Sequence, residues 1–448
     1  MREHWKRVLY SPGIAIVAAF VLRMVILRQF FHSTLEHSAV EPPFGYETGA
    51  VAASIAAGHG FSSPLRMFHT GSTAWFTPIY PYLLAGIFKL FGIYSYRSDV
   101  IVRSLNCALS AFTCWPVYAI GKRVGGWKTG LASAWLWVVL PTAMLFPITW
   151  VWDTTLAGLW MALLVAMTFK LRGSSRLGLW IAYGAMWAIG AEINPSLLSV
   201  LPFLALWAIW PLRQNFAGAA RLALAASAIF IAGVTPWAVR NYVVFHKFIP
   251  LRSNFGLELW VGNNPDMPDG FAPSLHPNDN IFEGAKYAQM TEIPYMEAKQ
   301  REALAFIRSH PADFARFTFH RFEDNWMGFW DPPFDVWHSA RPSVRLLLVT
   351  NCLFALLSLV GALFAYQSQN EVAVPLGLVL LVFPGIFYLT HTSLRYRFPM
   401  DSVMAVLAVY AVAYPLSRWA QQRDAASLRH TAKIGPEPSH SITENIRV

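Results

Sequence analysis

Long apolar runs separated by short polar links make up most of this 448-residue chain. Runs at 12–31, 99–121, 129–147, 154–171, 177–192, 196–211, 220–240, 343–366, 372–391 and 399–418 are the candidates for helices crossing a bilayer core. An eleventh run, 77–92, is spoiled as a span, because Pro78 and Pro81 sit in its first turn and Lys89 lies near its end. It reads as a helix lying in the outer membrane surface. Ahead of it, FGYETGAVAASIAAGHG reads as a second surface helix, opened by Glu47 and stopped at Gly58 and Gly60. The pattern changes between 247 and 342, where Pro, Asn, Asp and Trp cluster. Within it, 294–324 has the spacing of an amphipathic helix, with Met296, Leu304, Phe306, Ile307, Phe314 and Phe317 among charges. Trp326, Phe329, Trp330 and Trp337 crowd its end. The tail, 421–448, is polar and reads as disordered.

Composition agrees with a membrane protein. Only 13% of residues are charged and 55% are hydrophobic, against about 25% charged in soluble domains. The net charge of +10 is unevenly spread, because 247–342 holds 13 of the 25 acids but 9 of the 35 Lys and Arg. If 77–92 does not cross, Lys122, Arg123, Lys128, Lys170, Arg172, Arg176, Arg213 and Arg221 all fall in cytoplasmic loops, as the positive-inside rule requires. The basic balance therefore points to membrane lipids and not to nucleic acid. The N-terminal MREHWKR before 12–31 has no small-residue cleavage site behind it and reads as an uncleaved anchor. Cys107, Cys114 and Cys352 fall in apolar runs and argue for no disulfide framework.

The expected architecture is an all-α polytopic membrane protein of about ten transmembrane helices, with outer juxtamembrane helices and a small periplasmic domain. Residues 1–246 form the N-terminal membrane part with an outer loop at 32–98. Residues 247–342 form the periplasmic domain, 343–420 the C-terminal membrane helices and 421–448 a cytoplasmic tail.

In this arrangement Glu36, Glu41, Glu47, Asp99, Asp153, Glu192 and Asp401 lie on the outer side, with Arg240, Arg252, Arg395 and Arg397. Arg holds phosphate bidentately, and a carboxylate serves as general base toward a hydroxyl or amine. Each has a simpler alternative. Glu47 could cap its helix, Asp153 could pair with an Arg, and the arginines could anchor lipid headgroups. Arg23 lies mid-span, where a lone charge needs a partner. His69, His246 and His391 show no metal-ligand spacing and read as surface histidines.

The order of a surface loop with a carboxylate opening a helix, a Pro-rich apolar helix ending in FG, Asp153 after the third span, TPWAVRNYVVFHKFIPLRSNFGLELWVGN ahead of the outer domain, and a late LRYRFP resembles the GT-C glycosyltransferases. The similarity is to the bacterial branch of protein O-mannosyltransferases and the lipid A aminoarabinose transferase, over roughly 10–420. It implies transfer of a sugar from a polyprenyl-phosphate donor to a lipid, glycan or protein acceptor, at the periplasmic face of a bacterial inner membrane. It implies Glu47 and Asp153 as catalytic groups and Arg395, Arg397, Arg252 and Arg240 around the donor phosphate, with Glu41, Tyr46, Tyr80 and Tyr396 as further site candidates. A divalent metal is used by some relatives and not others. The chain departs from the family pattern at Pro43, where an Asp is usual, and at Phe76 and Thr77, where a Lys is usual. A transporter of lipid-linked sugar, or an inactive family member, is the alternative.

Overall fold

A computed structural model describes residues 11–35, 44–266, 275–328 and 342–433. Helices dominate, and among the described residues the only sheet-like pairing is an isolated bridge between Ser62 and Ser72. In chain order the helices are α1 (Pro12–Leu35), α2 (Tyr46–Ala56), α3 (Ile79–Phe91), α4 (Tyr96–Phe112), α5 (Cys114–Val139), α6 (Pro141–Thr149), α7 (Thr154–Leu171), α8 (Leu177–Ile193), α9 (Leu201–Ile209) and α10 (Phe216–Phe245). The outer segment carries α11 (Phe255–Gly262), α12 (Ile281–Met290), α13 (Glu292–Ser309) and α14 (Pro311–Met327). The chain continues through α15 (Pro342–Gln367), α16 (Ala373–Val382), α17 (Gly385–Leu389) and α18 (Leu394–Lys433).

Among the described residues, seven helical runs are long and apolar enough to cross a membrane, and Ile79–Phe91, Leu177–Ile193 and Ala373–Leu389 are shorter apolar helices. One of the seven, Tyr96–Val139, contains two of the expected spans. Gly125 and Gly126 leave helical geometry there, Gly126 at φ 83°, and Gly130 comes back against Tyr118 and Lys122. The chain therefore reverses within α5. Helix α3 has 13 residues, about 20 Å at 1.5 Å each, too short for a core of roughly 30 Å.

Prolines divide several expected elements. The run 129–147 breaks at Leu140, whose ψ of 123° is extended, because the residue before a proline is pushed out of the α region. The run 372–391 breaks at Pro384. The single amphipathic helix expected over 294–324 is two helices, α13 and α14, separated at His310 before Pro311. The tail expected to be disordered from 421 is helical to Lys433.

Arg23 explains how the break at Leu140 is tolerated. Pro141 has no N–H to give the Trp137 carbonyl, and the extended Leu140 disrupts the next bond too. Arg23, fully buried, donates to Trp137 O at 3.0 Å, Val138 O at 3.4 Å, Ala143 O at 2.9 Å and Ala19 O at 3.0 Å, and to Ser110 Oγ at 3.0 Å. Three of these partners are carbonyls on either side of the break, and no carboxylate is among the five.

The main core lies within the membrane part, where α18 packs against α15, α5 and α7, and α8 packs against α10. A separate outer core joins Leu65 and Trp75 to Leu257, Trp260, Tyr287, Tyr295 and Met296. The segment before α3 thus packs into the outer domain instead of lying free.

Candidate active site

Residues 61–76 form a strap gripped from three sides. Arg240 on α10 donates to Thr73 O at 2.6 Å and Phe61 O at 3.0 Å. Arg252 Nε donates to Trp75 O at 2.9 Å. Glu292, 2% exposed, accepts from Ala74 N–H at 2.7 Å, Ser253 Oγ at 2.6 Å, Tyr287 OH at 2.8 Å and Thr73 Oγ1. Burial raises its carboxyl above the usual range against the pull of these donors.

Helix α2 rises from this floor. Gly45 at φ 83° and Tyr46 at φ 43° turn the chain into it, which places Glu47 in the first turn, 8% exposed. Glu47 does not cap its own helix. Its Oε1 accepts from Asn278 Nδ2 at 2.8 Å and lies 3.6 Å from His276 Nδ1.

Next to Glu47 stands a column of stacked groups. The Tyr46 and Trp152 rings lie 4.8 Å apart at 8°. The Arg66 guanidinium caps Tyr46 at 4.5 Å, and Arg395 caps the other end, 3.8 Å from Trp152. Arg395 is half-buried at the start of α18, and its Nη2 donates to Tyr396 OH at 3.0 Å. Its other N–H groups have no hydrogen-bond partner among the described residues, and the same is true of the two terminal nitrogens of Arg252. Both arginines act electrostatically on Asp153. Arg395 also feels Glu47 and Glu258. Asp153, at the start of α7, accepts from Asn194 Nδ2 at 2.9 Å where α8 ends. Burial pushes its carboxyl up, opposed by Arg252, Arg395 and the Asn194 bond.

The structure thus groups Glu47, Asp153, Arg252, Arg395, Tyr46 and Tyr396. Tyr80 is buried with its hydroxyl on Asn106, close enough to feel the Asp153 charge. Two expected donor ligands do not join the group. Arg397 is fully buried. It pairs with Asp401 at 2.9 Å and donates to Asn325 O at 3.0 Å, Trp326 O at 3.3 Å and Asn351 Oδ1. Every side of its guanidinium is occupied, so it is a packing group and neither a phosphate ligand nor a headgroup anchor. Arg240 is committed to the strap and supports the site without facing it. Glu36 and Glu41 lie outside the described residues, as do Phe329, Trp330 and Trp337.

His391 corrects the expectation of a surface histidine. It is 5% exposed, and its Nε2 lies 2.7 Å from Glu258 Oε2. Burial first, then Arg321, Arg395 and His276, lowers its pKa to about 3, so this contact is an N–H donated by a neutral ring. Arg321 closes the same corner, donating to Tyr388 O at 3.1 Å, Leu389 O at 3.2 Å and Gly262 O. Gly262 is required there, since a Cβ would lie 1.7 Å from Thr390 O. His69 and His246 are exposed, as expected.

Sequence reasoning missed Arg66, Trp152, Glu258, His276, Asn278 and His391. Only Glu258 carried a signal, as a lone acid in an apolar helix (FGLELWVG). The others reach the site by tertiary contacts.

Among the described residues no group of three or more His, Cys, Asp or Glu side chains could hold a metal ion. Glu47, Asp153 and Glu258 are each turned toward an amide or imidazole.

No protein-family model matches the sequence, and no curated protein matches it. Solved structures are similar in fold. The oligosaccharyltransferase AglB from Archaeoglobus fulgidus, in complex with an inhibitory peptide and a dolichol-phosphate, aligns at TM-score 0.56 and 14% identity over 95% of this chain and 52% of its own. The same enzyme in complex with Zn and sulfate aligns at TM-score 0.53 and 14% identity over 95% and 51%. The chain spans about half the length of that oligosaccharyltransferase. ArnT from Cupriavidus metallidurans bound to undecaprenyl phosphate matches at a TM-score of 0.38 and 14% identity, over 93% of this chain and 79% of its own; a likeness that weak carries no argument. At such identities the fold alone is shared.

Proposed function

We propose that this chain is a membrane glycosyltransferase that moves a sugar from a polyprenyl-phosphate donor to an acceptor at the outer face. One observation carries the reading. Two half-buried arginines with open N–H groups, Arg395 and Arg252, both act on Asp153, and Arg395 also acts on the buried Glu47 and packs on the Tyr46–Trp152 stack. Cations of this kind bind a phosphate through charge-assisted bonds, and the fold is one whose archaeal representative was solved with a dolichol-phosphate.

Glu47 takes the proton of the acceptor hydroxyl or amine as that nucleophile attacks the anomeric carbon. The bond from carbon to phosphate oxygen breaks, and the lipid phosphate leaves with the electron pair. Attack on the face opposite the leaving group inverts the anomeric centre. Arg395 and Arg252 stabilise the charge left on the phosphate, so no general acid is needed. Asp153 stands beside both arginines. The site faces the periplasm of a bacterial inner membrane in this reading, with the acceptor a lipid, glycan or protein.

The test is a reconstituted assay with radiolabelled polyprenyl-phosphate sugars in vesicles. Released lipid phosphate, formed together with labelled acceptor, supports the reading. Movement of intact lipid-linked sugar between leaflets without release would make the protein a transporter.

A further inference from the structure

The turn at 276–279 comes from the outer segment, yet it reaches Glu47 across 231 residues of sequence. Pro277 shapes it, and His276 O accepts from the N–H of Asp279 and of Asn280, each at 2.8 Å. Asn278 sits at its tip and uses three polar groups. Its backbone N–H donates to His276 Nδ1 at 3.3 Å. Its Oδ1 accepts from the Arg66 N–H at 3.2 Å, and its Nδ2 donates to Glu47 Oε1 at 2.8 Å. The Arg66 N–H fixes the amide's orientation: the oxygen must face that donor, so the nitrogen must face the carboxylate. His276 is not an equivalent donor. Its Nδ1 already accepts from Asn278, and the same atom is the one 3.6 Å from Glu47.

We propose that Asn278 is the positioning residue for Glu47: the outer segment supplies the amide N–H that aims the carboxylate. The base is then complete only while that segment is docked on the strap. This rests on the reading of Glu47 as general base. A hydrogen bond donated to the charged form of an acid favours that form, and one fixed oxygen leaves the other aimed at the acceptor. The titratable and charged groups around Glu47 are His276 from the same turn, Arg395 from α18 and, across the Tyr46 ring, Arg66 from the strap. An aspartate at 278 would remove the donor and add a negative charge at the same size.

The test uses the full-length protein in lipid vesicles and two readouts. The first is labelling of Glu47 by a hydrophobic carbodiimide, which reacts with protonated carboxyls, followed by peptide mass spectrometry across pH. The second is sugar transfer from polyprenyl-phosphate sugar. Asn278→Ala and Asn278→Asp should both label Glu47 at higher pH than the wild type, the aspartate variant more. Asn278→Ala should lose about tenfold in kcat with donor KM within about twofold, the scale of one lost bond to a charged group. If both variants match the wild type in labelling and kcat while Glu47→Gln is inactive, Asn278 is merely structural and the proposal is overturned. If Glu47→Gln transfers sugar at the wild-type rate, the base reading fails and the proposal fails with it.

Discussion

Glu47 is the residue whose chemistry can be separated most sharply from its structural surroundings. Its carboxylate bonds to Asn278 and not to its own helix, so Glu47→Gln keeps the length and can keep an acceptor oxygen there. The variant should fold and bind donor, yet lose roughly 10²–10⁴-fold in turnover, the usual worth of general-base catalysis. Glu47→Asp should retain partial activity, one methylene short. Wild-type transfer by the glutamine variant would remove Glu47 from the chemistry; loss with Asp153→Asn alone would move the base there. The two late arginines divide in the same way. Arg395→Ala should weaken donor use by about 2–5 kcal/mol, the loss expected for a charge pair to a partly buried phosphate, with little change in thermal stability. Arg397→Ala should do the reverse. It strands Asp401 in the core, at about 3–5 kcal/mol of stability, and a thermal melt in detergent reads that difference directly.

Two joints between elements determine how the helices can meet. The first is the break between α5 and α6. Arg23 supplies N–H groups to carbonyls that Pro141 and the extended Leu140 leave open. Arg23→Met keeps the stem and loses the donors. It should cost about 3 kcal/mol, since bonds to charged groups are worth about 1.5–3 kcal/mol each and several go together. A melting temperature equal to the wild type's would show that the carbonyls find other partners. The second joint lies between α11 and the segment ahead of α18, where neutral His391 meets Glu258. The folded pKa, about 3, is below that of the unfolded chain, roughly 6.5. The unfolded state therefore takes up a proton first as pH falls. Stability from this joint is fully present above about pH 6.5 and declines between there and about pH 3. His391→Gln should flatten that part of the stability profile, measured as melting temperature against pH. An unchanged slope would place the acid sensitivity elsewhere.

For the whole molecule the testable property is which face holds the site. The arrangement in which α3 does not cross puts Trp127 and Ser174 on the cytoplasmic side and Asn263 on the periplasmic side. A membrane-impermeant thiol reagent on intact cells should miss cysteines introduced at 127 and 174. Asn263 is itself buried, so the outer-side probe is better placed at the exposed neighbour Asp266. Labelling at 127 would overturn the map. The strap ties this topology to function. Arg240 from the membrane part and Glu292 from the outer segment hold the same few residues, 73 and its neighbours. The segment 247–342 and the membrane part are therefore joined through these residues.

The chain's hydrophobic pattern determined the helical membrane architecture, the reversal near 122–128 and the short apolar helix α3, because an apolar run's length against bilayer thickness is a local property. It also determined that Glu47 opens a helix and that an Arg-rich stretch opens the last one. Tertiary structure alone decided which charges serve the site. Arg395 and Arg397 are two residues apart and carry the same charge, but on α18 they point to different neighbours. One reaches an aromatic wall at the outer surface and the other a buried Asp401. The same reason hid Asn278, whose role exists only because a turn more than two hundred residues away packs over Glu47. Periodicity assigns a residue to a face of its own helix; what that face meets is set by packing across the chain.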